Sequence, residues 1–444
     1  MPKLSVIMPC LNVVNYIDEC IESVVNQTLK DIEIIIIDAK STDGTLEVIR
    51  KYAENDNRII VLQSSIRSYG HQVNMGLEIA SGECISIVDT DDILDIYAYE
   101  KLYHRLKTEN LDYIKGYARA FWDMDNGQRG YWDICNFYIG TEIEDKVIEP
   151  YRMPQLIVED HFLWQGIYTR NLLRDIRLNE TSGAAYQDQG FCLQVFLEAK
   201  RAAYINWCVY YYRQDNMFSS TYNRKGFNYT FNEFSLNLNY IASSDSEWKR
   251  YFYARLFLQC IGRFNVMAIS GQYWEDVEPD ILELRRFLLD GLRDCEIDSI
   301  LQPEQKKELL LLKEEPGMLF QYMVNKYAAM RKDLKQLLAA IHGKRIVIVS
   351  CGIWGRFLNL LVSGYSEVLN FCDNNSKLWG TKVDGKSVKS VDTCVEYSED
   401  VCFIIANKKY QDDIKQQLLC LGIKSTRVFA YNGGVNLDLV REVI

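Results

Sequence analysis

The chain has 444 residues, of which 48% are hydrophobic and 25% are charged, and its formal net charge at pH 7 is -11. This length is too great for one hydrophobic core and predicts two or three domains of an ordinary globular protein. The acidic balance argues against a nucleic-acid partner, and we expect a cytoplasmic protein because neither a long apolar run nor a signal segment is found.

Strand and helix patterns alternate over about the first ninety residues. The predicted strands cover residues 4–8, 33–37, 59–63 and 84–88, and the predicted helices cover 15–26, 45–52 and 70–80. Such alternation favours a doubly wound, mainly parallel α/β sheet. We expect Pro9 to end the first strand, because proline lacks the N–H that a strand donates. The loops after the predicted strands should then lie at one edge of the sheet.

Three carboxylates, Asp89, Asp91 and Asp92, directly follow the fourth predicted strand. Ligands of open α/β sheets bind outside the carboxyl ends of the strands, so this cluster lies where a ligand is expected. Carboxylates this close repel one another unless a cation neutralises them, and oxygen ligands suit Mg²⁺ or Mn²⁺. The alternative is a solvated acidic turn that caps the next helix.

Further short motifs accompany the acidic cluster in a fixed order. They are Ser5-Val6-Ile7-Met8-Pro9, Gln27-Thr28, Ile37-Asp38, Ser41-Thr42-Asp43-Gly44-Thr45, the Asn74/Gly76 pair and Ala80-Ser81-Gly82-Glu83. With these motifs the chain closely resembles the family-2 inverting glycosyltransferases, which have the GT-A fold, and the resemblance extends to about Tyr222. It implies a metal-dependent transfer of a sugar from a nucleotide-diphosphate sugar to a hydroxyl of a growing surface glycan, such as capsule or lipopolysaccharide.

The resemblance also implies which residues bind the donor. Pro9 and Asp38 are expected to border the nucleobase and ribose. Asp89, Asp91 and Asp92 are expected near the ribose and diphosphate, with Asp91 as the ligand of a divalent metal. For Asp38 the alternative is a carboxylate that only stabilises a local turn.

Three positions bear on how the donor is recognised. Many family members carry a second Asp at the position of Ala39, which often helps to read the base, and a Gly at that of Lys40. Ala39 has no side-chain acceptor, so backbone groups or another residue must recognise the uracil of the UDP-sugar that we expect. Arg67 lies where basic groups of many relatives face the donor; otherwise it is a solvated loop residue.

The candidate catalytic residue is Asp188, which an apolar helical pattern follows. A helix N-terminus stabilises an ionised carboxylate, which suits a group that accepts a proton. Residues 186–220 resemble the second half of the same catalytic domain, in which the acidic residue of a Glu-Asp pair is the base. Here Gln187 replaces the Glu and Asp188 is retained, so the resemblance implies Asp188 as the base. The alternative is a simple N-cap.

Candidate acceptor-binding residues lie between these two sites. Aromatic and acidic residues alternate irregularly over 121–138, as in an acceptor cradle or in ordinary β-sheet core. His161 and Trp164 belong to the segment that, in the family, precedes the strand leading to the catalytic carboxylate. We assign them to acceptor binding, with a glycan or lipid-linked glycan as the acceptor.

The remaining sequence predicts two further domains. Helical spacing covers 225–342, with breaks expected at Pro279, Pro303 and Pro316. Basic clusters there either touch the inner face of the cell membrane or form a solvated helix face. Residues 343–444 predict a Rossmann-like accessory domain rather than an NAD enzyme, because the dinucleotide motif lacks its first Gly. The first domain then covers 1–224.

Apolar residues at alternating steps of three and four mark the helix over 320–341. They are Phe320, Met323, Tyr327, Met330, Leu334, Leu337 and Ile341. This stripe either packs on its own chain or pairs with a second copy in a homodimer.

Two other functions compete with a glycosyltransferase. A sugar nucleotidyltransferase also has an α/β fold with carboxylate-bound Mg²⁺, but it would need a Gly-rich, basic N-terminal loop, which residues 8–12 do not supply. A non-catalytic scaffold that binds a nucleotide sugar is disfavoured by the retained Asp188.

Overall fold

The computed structural model describes residues 1–123, 129–216, 226–242, 244–271 and 273–433. The chain divides into two compact units. The first contains residues 1–121 and 133–320, and the second contains residues 122–132 and 321–444. The predicted boundary between residues 224 and 225 lies outside the described residues, and the predicted three-domain division stays a prediction.

A ten-stranded sheet forms the centre of the first unit. Its strands are β1 (Leu4–Cys10), β2 (Ile32–Asp38), β3 (Ile59–Gln63), β4 (Cys84–Ile87), β5 (Ile93–Leu94), β6 (Tyr113–Asp123), β7 (Arg129–Ile134), β8 (Val147–Ile148), β9 (Gly166–Thr169) and β10 (Ala202–Arg213). The main order is β3-β2-β1-β4-β9-β6-β10-β5, with β7 beside β6 and β8 beside β10. The tips of β6 and β7 belong to the second unit.

Four neighbouring strands of this sheet are parallel, as in nucleotide-binding α/β folds. β3, β2, β1 and β4 are parallel neighbours, and β9 joins β4 to β6 by antiparallel pairing. β2 is almost entirely buried, as its β-branched run predicts for a strand covered on both faces. The predicted GT-A sheet is therefore confirmed, with β9 as an antiparallel insertion.

Pro9 does not end the first strand, contrary to our expectation. β1 continues to Cys10, and Pro9 pairs with Ile37 of β2. The carbonyl of Ile7 accepts a hydrogen bond from the Val88 N–H, on the side of β4. Backbone groups of a strand alternate in direction, so the backbone of Pro9, two residues later, faces the same side. Because β4 already ends at Ile87, no strand there needs the missing N–H of Pro9.

Within the described residues, eleven α-helices follow in this order up to residue 341. They are α1 (Ile17–Val25), α2 (Thr45–Asn55), α3 (Tyr69–Ile79), α4 (Ala98–Glu109), α5 (Leu156–Glu159), α6 (Gln187–Glu198), α7 (Gly226–Ala242), α8 (Ser246–Ser270), α9 (Trp274–Gly291), α10 (Pro303–Glu314) and α11 (Pro316–Ile341). None of the described helices is both long and apolar enough to span a membrane.

The prolines of the helical region behave in two ways. Pro303 and Pro316 begin α10 and α11, as predicted. The break expected at Pro279 is wrong, because Pro279 lies inside α9. It follows the first turn of that helix, so its ring costs one hydrogen bond near the end of the helix rather than in the middle.

The apolar stripe of α11 is buried within a single copy of the chain. Six of its seven residues are buried, and Met330 is partly exposed. This burial supports the interpretation in which the stripe packs on its own chain. The homodimer stays an untested prediction.

The second unit contains a six-stranded sheet with the order β13-β14-β12-β11-β15-β16. The strands are β11 (Arg345–Val349), β12 (Glu367–Asp373), β13 (Lys382–Val383), β14 (Lys386–Ser390), β15 (Val401–Ile405) and β16 (Val428–Ala430), and the helices are α12 (Ile353–Val362) and α13 (Gln411–Cys420). All neighbours except β13 and β14 are parallel. This is the Rossmann-like α/β architecture that the sequence predicts.

Candidate active site

A cavity of about 340 Å³ opens at the carboxyl ends of β1 and β4. Its wall contains Pro9, Leu11, Val13, Tyr69, Asp89, Thr90, Asp91, Phe162, Leu163, Trp164, Ala184, Ala185, Tyr186, Gln187, Asp188, Tyr212 and Asn216. The structure thus brings together five of the predicted site residues, namely Pro9, Asp89, Asp91, Trp164 and Asp188.

Two of the acidic residues face this cavity and are held by polar side chains. Asp89 Oδ1 accepts a hydrogen bond from the Tyr69 hydroxyl at 2.8 Å, and Asp91 Oδ2 accepts from Asn216 Nδ2 at 2.7 Å. Burial, and then the charge of Asp91, raise the pKa of Asp89 to about 7. Burial also raises the pKa of Asp91. Tyr69 and Asn216 were missed in the sequence, where no motif marks either residue.

Asp92 lies outside the cavity wall. It is fully buried, and its carboxylate accepts from the Tyr210 hydroxyl at 2.8 Å and from the Arg213 N–H at 2.7 Å. Burial and the charge of Asp91 raise its pKa well above the usual range. These hydrogen bonds connect the acidic loop to β10. Direct contact between Asp92 and a donor stays a prediction.

The paired carboxylates fit a divalent metal that is shared with a ligand. Burial raises the pKa values of both Asp89 and Asp91, and the charge of Asp91 raises that of Asp89 further. A bound cation would relieve this repulsion between the two carboxylates. No group of three or more His, Cys, Asp or Glu residues in the described parts of the chain is arranged to hold a metal. One or two carboxylates suffice for Mg²⁺ when phosphates complete its shell.

Asp188 lies in the first turn of α6, as predicted. The residue before the helix, Tyr186, has a left-handed backbone (φ 71°), which turns the chain sharply into the helix. Asp188 Oδ1 accepts from the Gln189 N–H at 3.0 Å. Burial raises the pKa of Asp188 to about 6, while Arg255 acts in the opposite direction.

The helical region supports the turn that carries Asp188. Glu233 of α7 accepts from the Gly190 N–H at 3.0 Å, and Arg255 of α8 donates from Nε to Gln189 Oε1 at 2.7 Å. Both side chains are buried. Sequence reasoning assigned no chemical part to this region, because Glu233 and Arg255 are distant from Asp188 in sequence and belong to no motif.

The two candidate acceptor residues differ in position. Trp164 lines the cavity and stacks on Tyr210, with ring centroids 4.3 Å apart, and on Tyr212 at 5.3 Å. His161 is absent from the cavity wall, and its ring packs on that of Phe162 with the ring centroids 4.3 Å apart. Burial lowers the pKa of His161 well below its usual value, so its ring is neutral.

Asp38 and Arg67 lie outside the cavity wall. Asp38 is fully buried and accepts from the backbone N–H groups of Lys40 at 3.0 Å and Ser41 at 3.2 Å. This is the local turn that the alternative interpretation predicted, and Lys40 takes the left-handed backbone (φ 63°) where many relatives have Gly. Arg67 is exposed. Their contact with a donor stays a prediction.

The cluster of aromatic residues over 121–138 belongs to the sheet and its surroundings. Phe121, Trp122, Trp132 and Tyr138 are buried. Their burial favours the core interpretation over an acceptor cradle, and residues 124–128 of this stretch lie outside the described residues.

The fold of the first unit is that of the GT-A glycosyltransferases. Residues 5–164 match Glycosyl transferase family 2, and this part of the chain belongs to that family. Residues 342–429 match a second family, described as C2185-like, N-terminal.

Bacterial relatives align with about half of the chain. Glycosyltransferase GlyG of Streptococcus pneumoniae serotype 4 is 28% identical over 221 residues, which cover 48% of this chain and 70% of the relative. EpsJ of Bacillus subtilis, an uncharacterized glycosyltransferase, is 27% identical over 223 residues, which cover 48% and 62%. The solved S. aureus TarS 1-349 in complex with UDP-GlcNAc has a TM-score of 0.54 at 18% identity, covering 74% of this chain and 92% of that one. That likeness shows a shared fold.

Proposed function

We propose that the protein is an inverting glycosyltransferase that moves a hexosyl or related sugar from a UDP-sugar to a hydroxyl of a surface glycan. One observation carries the proposal: Asp188 and the Asp89/Asp91 pair lie in the wall of one cavity. An acid pair at a strand end suits a divalent metal that is shared with the diphosphate of a nucleotide, and a separate carboxylate with a pKa of about 6 suits a general base. The surface-glycan acceptor is supported by a relative named poly(ribitol-phosphate) beta-glucosyltransferase.

The donor would lie on the side of Pro9, Asp89 and Asp91. Asp91, with Asp89, would hold a divalent metal, and such an ion supplies positive charge that stabilises the departing diphosphate. The Tyr69 hydroxyl and the Asn216 amide keep the two carboxylates turned into the cavity. The UDP-GlcNAc complex of TarS supports a UDP-sugar as the donor.

Asp188 would perform the proton transfer. Its carboxylate removes the proton of an acceptor hydroxyl, whose oxygen forms a bond to the anomeric carbon on the face opposite the nucleotide. The bond from that carbon to the diphosphate oxygen breaks, and the diphosphate leaves with the electron pair. Trp164 lines the same cavity and would contact the acceptor sugar.

Another carboxylate near the cavity is unsuited to act as the base. Asp160 is fully buried and bound by Lys115 Nζ at 2.8 Å, by Gln165 at 2.7 Å and by the Tyr204 hydroxyl at 2.6 Å. A carboxylate with these partners has no free position for an acceptor hydroxyl. Asp188, which lines the cavity, is the base that we propose. The cytoplasm, or the inner face of the cell membrane, is the proposed location.

The test separates donor binding from chemistry. In Asp188→Asn we expect an unchanged Kd for the donor, measured by calorimetry, and a kcat lower by about 10²- to 10⁴-fold, because general-base help is removed. Asp175→Asn is the control, since that side chain is 84% exposed and lies outside the cavity wall. Near-normal turnover in Asp188→Asn would refute the proposed base. A failure of all UDP-sugars to bind the wild type would refute the proposed donor.

A further inference from the structure

A second cavity lies in the second unit, at the carboxyl ends of its parallel strands. Its volume is about 380 Å³, within the range of roughly 300–1,000 Å³ found for small-molecule sites. Six of its ten lining residues are polar: Ser350, Asp373, Asn374, Asn407, Asp413 and Gln417.

The topology of the sheet gives this position its meaning. β12 lies on one side of β11 and β15 lies on the other, so the winding direction reverses at β11. Open α/β sheets bind ligands in the crevice outside the strand ends at such a reversal. Ser350, Asp373 and Asn407 follow β11, β12 and β15, and all three line the cavity.

The loop between β11 and α12 has the backbone of a nucleotide-binding loop, despite its altered sequence. Ser350 replaces the first glycine of the motif yet keeps the left-handed backbone (φ 87°). Gly355 is the third glycine of the motif. A Cβ there would lie 1.9 Å from the Ser350 carbonyl oxygen, so the helix and the strand end approach each other as closely as this motif requires. At Gly352 a Cβ would meet only Ser350 Oγ, at 3.8 Å, so this backbone is open to a ligand.

Asp373 offers an acceptor to a ligand hydroxyl. Its Oδ2 accepts from the Cys351 N–H at 2.9 Å and from the Cys351 thiol at 3.3 Å, and its Oδ1 accepts from the Asn375 N–H at 2.8 Å. These bonds fix the carboxylate at the end of β12. A carboxylate has about four acceptor positions, so one is left for a hydroxyl group.

The rest of the wall suits a nucleoside. The Asn374 and Gln417 amides make two reciprocal hydrogen bonds, at 2.9 and 3.1 Å, and can exchange these bonds for the edge of a base. Tyr410 is 49% exposed at the rim, where its ring can stack on a base. Asp373 and Asp413 make the interior acidic, so the phosphate of a ligand belongs outside it, at Gly352.

We propose that this cavity binds one ribonucleotide. Asp373 would accept a hydrogen bond from a ribose hydroxyl, Tyr410 and the amides would hold the base, and the phosphates would lie against the Gly352 backbone. The volume suits one nucleotide, which distinguishes this site from that of a dinucleotide-dependent enzyme. The proposal is independent of the function of the first unit.

The test uses hydrogen–deuterium exchange on the full chain with UDP, ADP, GDP or CDP at millimolar concentration. We expect at least one of them to slow the exchange of residues 350–356 and 407–417. Protection by UDP alone would identify the product of the proposed transfer as the ligand, and protection by another nucleotide would identify a separate effector. The 2′-deoxy form should bind about tenfold or more weakly, because a bond to a charged acceptor is lost.

Two variants and a control variant test whether the nucleotide binds in this cavity. Gly352→Val fits the fold, since nothing blocks its Cβ, but its side chain fills the space for the phosphate, so protection should disappear. Asp373→Asn should weaken binding about tenfold. Gly364→Val makes the same change outside the cavity wall, where a Cβ meets no atom within 4 Å, and should keep the protection. The proposal is wrong if no nucleotide protects these segments, or if protection survives Gly352→Val.

Discussion

At the scale of single residues, the candidate active site depends on carboxylates whose pKa values are raised. Burial is the first cause at Asp89, Asp91 and Asp188 alike. The neighbours then separate them: Asp89 has a second carboxylate beside it, whereas Asp188 has the positive charge of Arg255 nearby. The first environment favours a bound cation, and the second keeps a base ionised near neutral pH.

Replacing Asp91 tests the cation site. We expect Mn²⁺ with the UDP-sugar to raise the melting temperature of the wild type, because a ligand that binds only the folded state stabilises it. In Asp91→Ala the extra shift caused by Mn²⁺ should disappear and transfer should be abolished. Asp175→Asn, far more exposed, is the control. Full transfer by Asp91→Ala, or by the wild type in excess EDTA, would contradict a metal ligand at this position.

Replacing Arg255 tests the electrostatic support of Asp188. Because the base acts in its ionised form, kcat/KM should rise with pH through about 6, the pKa of Asp188. Arg255 opposes the effect of burial, so Arg255→Gln should move this limb of the profile to higher pH. Arg255→Lys keeps the charge and should move it less. A limb at the same pH in Arg255→Gln would mean that Arg255 only packs against α6.

At the scale of elements, the N-terminal turn of α6 is the part on which the site depends most. α7 and α8 hold this turn through Glu233 and Arg255. The helix itself is buried over most of its length. α7 and α8 therefore fix the direction in which Asp188 enters the cavity, and both helices belong to the first unit.

A glycine in this turn gives a test of the packing. At Gly190 a Cβ would lie 2.3 Å from Glu233 Oε1 and 2.4 Å from Asn237 Nδ2, so Gly190→Ala must displace α7 side chains. We expect a melting temperature lower by several degrees, consistent with overpacking of about 1–3 kcal/mol, and reduced kcat. Gly262→Ala on α8 meets no atom within 4 Å and should be neutral or stabilising. Equal melting temperatures for the two variants would contradict this packing.

At the scale of the whole molecule, the chain separates the two cavities between its two units. All residues that line the Asp188 cavity belong to the first unit, and all that line the Asp373 cavity belong to the second. Each cavity lies at the carboxyl ends of parallel strands. The same rule of α/β topology thus predicts a ligand site in each unit.

The buried stripe of α11 leads to a prediction about mass. Because Leu334 and Ile341 are already buried within one chain, we expect sedimentation to give a monomer near 51.7 kDa at micromolar concentration. Leu334→Ala should lower the melting temperature without changing the mass, since it removes about 2–5 kcal/mol of core packing. A dimeric wild type that Leu334→Ala converts to a folded monomer would show that the stripe pairs two copies.

The sequence by itself determined the parallel part of the first sheet, the family and the position of Asp188 at a helix start. These features depend on local patterns: β-branched runs, helical spacing, and motifs in a fixed order. The carboxyl ends of parallel strands must meet at one edge, so even the neighbourhood of Pro9 and Asp89 follows from the order of the elements. Asp188 was marked by its own short motif.

Tertiary structure decided which side chains face the cavity and what holds them. Asp92 and Asp38 look like their neighbours in sequence, yet hydrogen bonds from distant or backbone groups turn them away from the cavity wall. Tyr69 and Arg255 acquire their contacts only when α3 and α8 pack beside residues far along the chain. Such contacts depend on long-range packing, which has no period or spacing in sequence. For the same reason the Asp373 cavity emerged only when the strands were assembled.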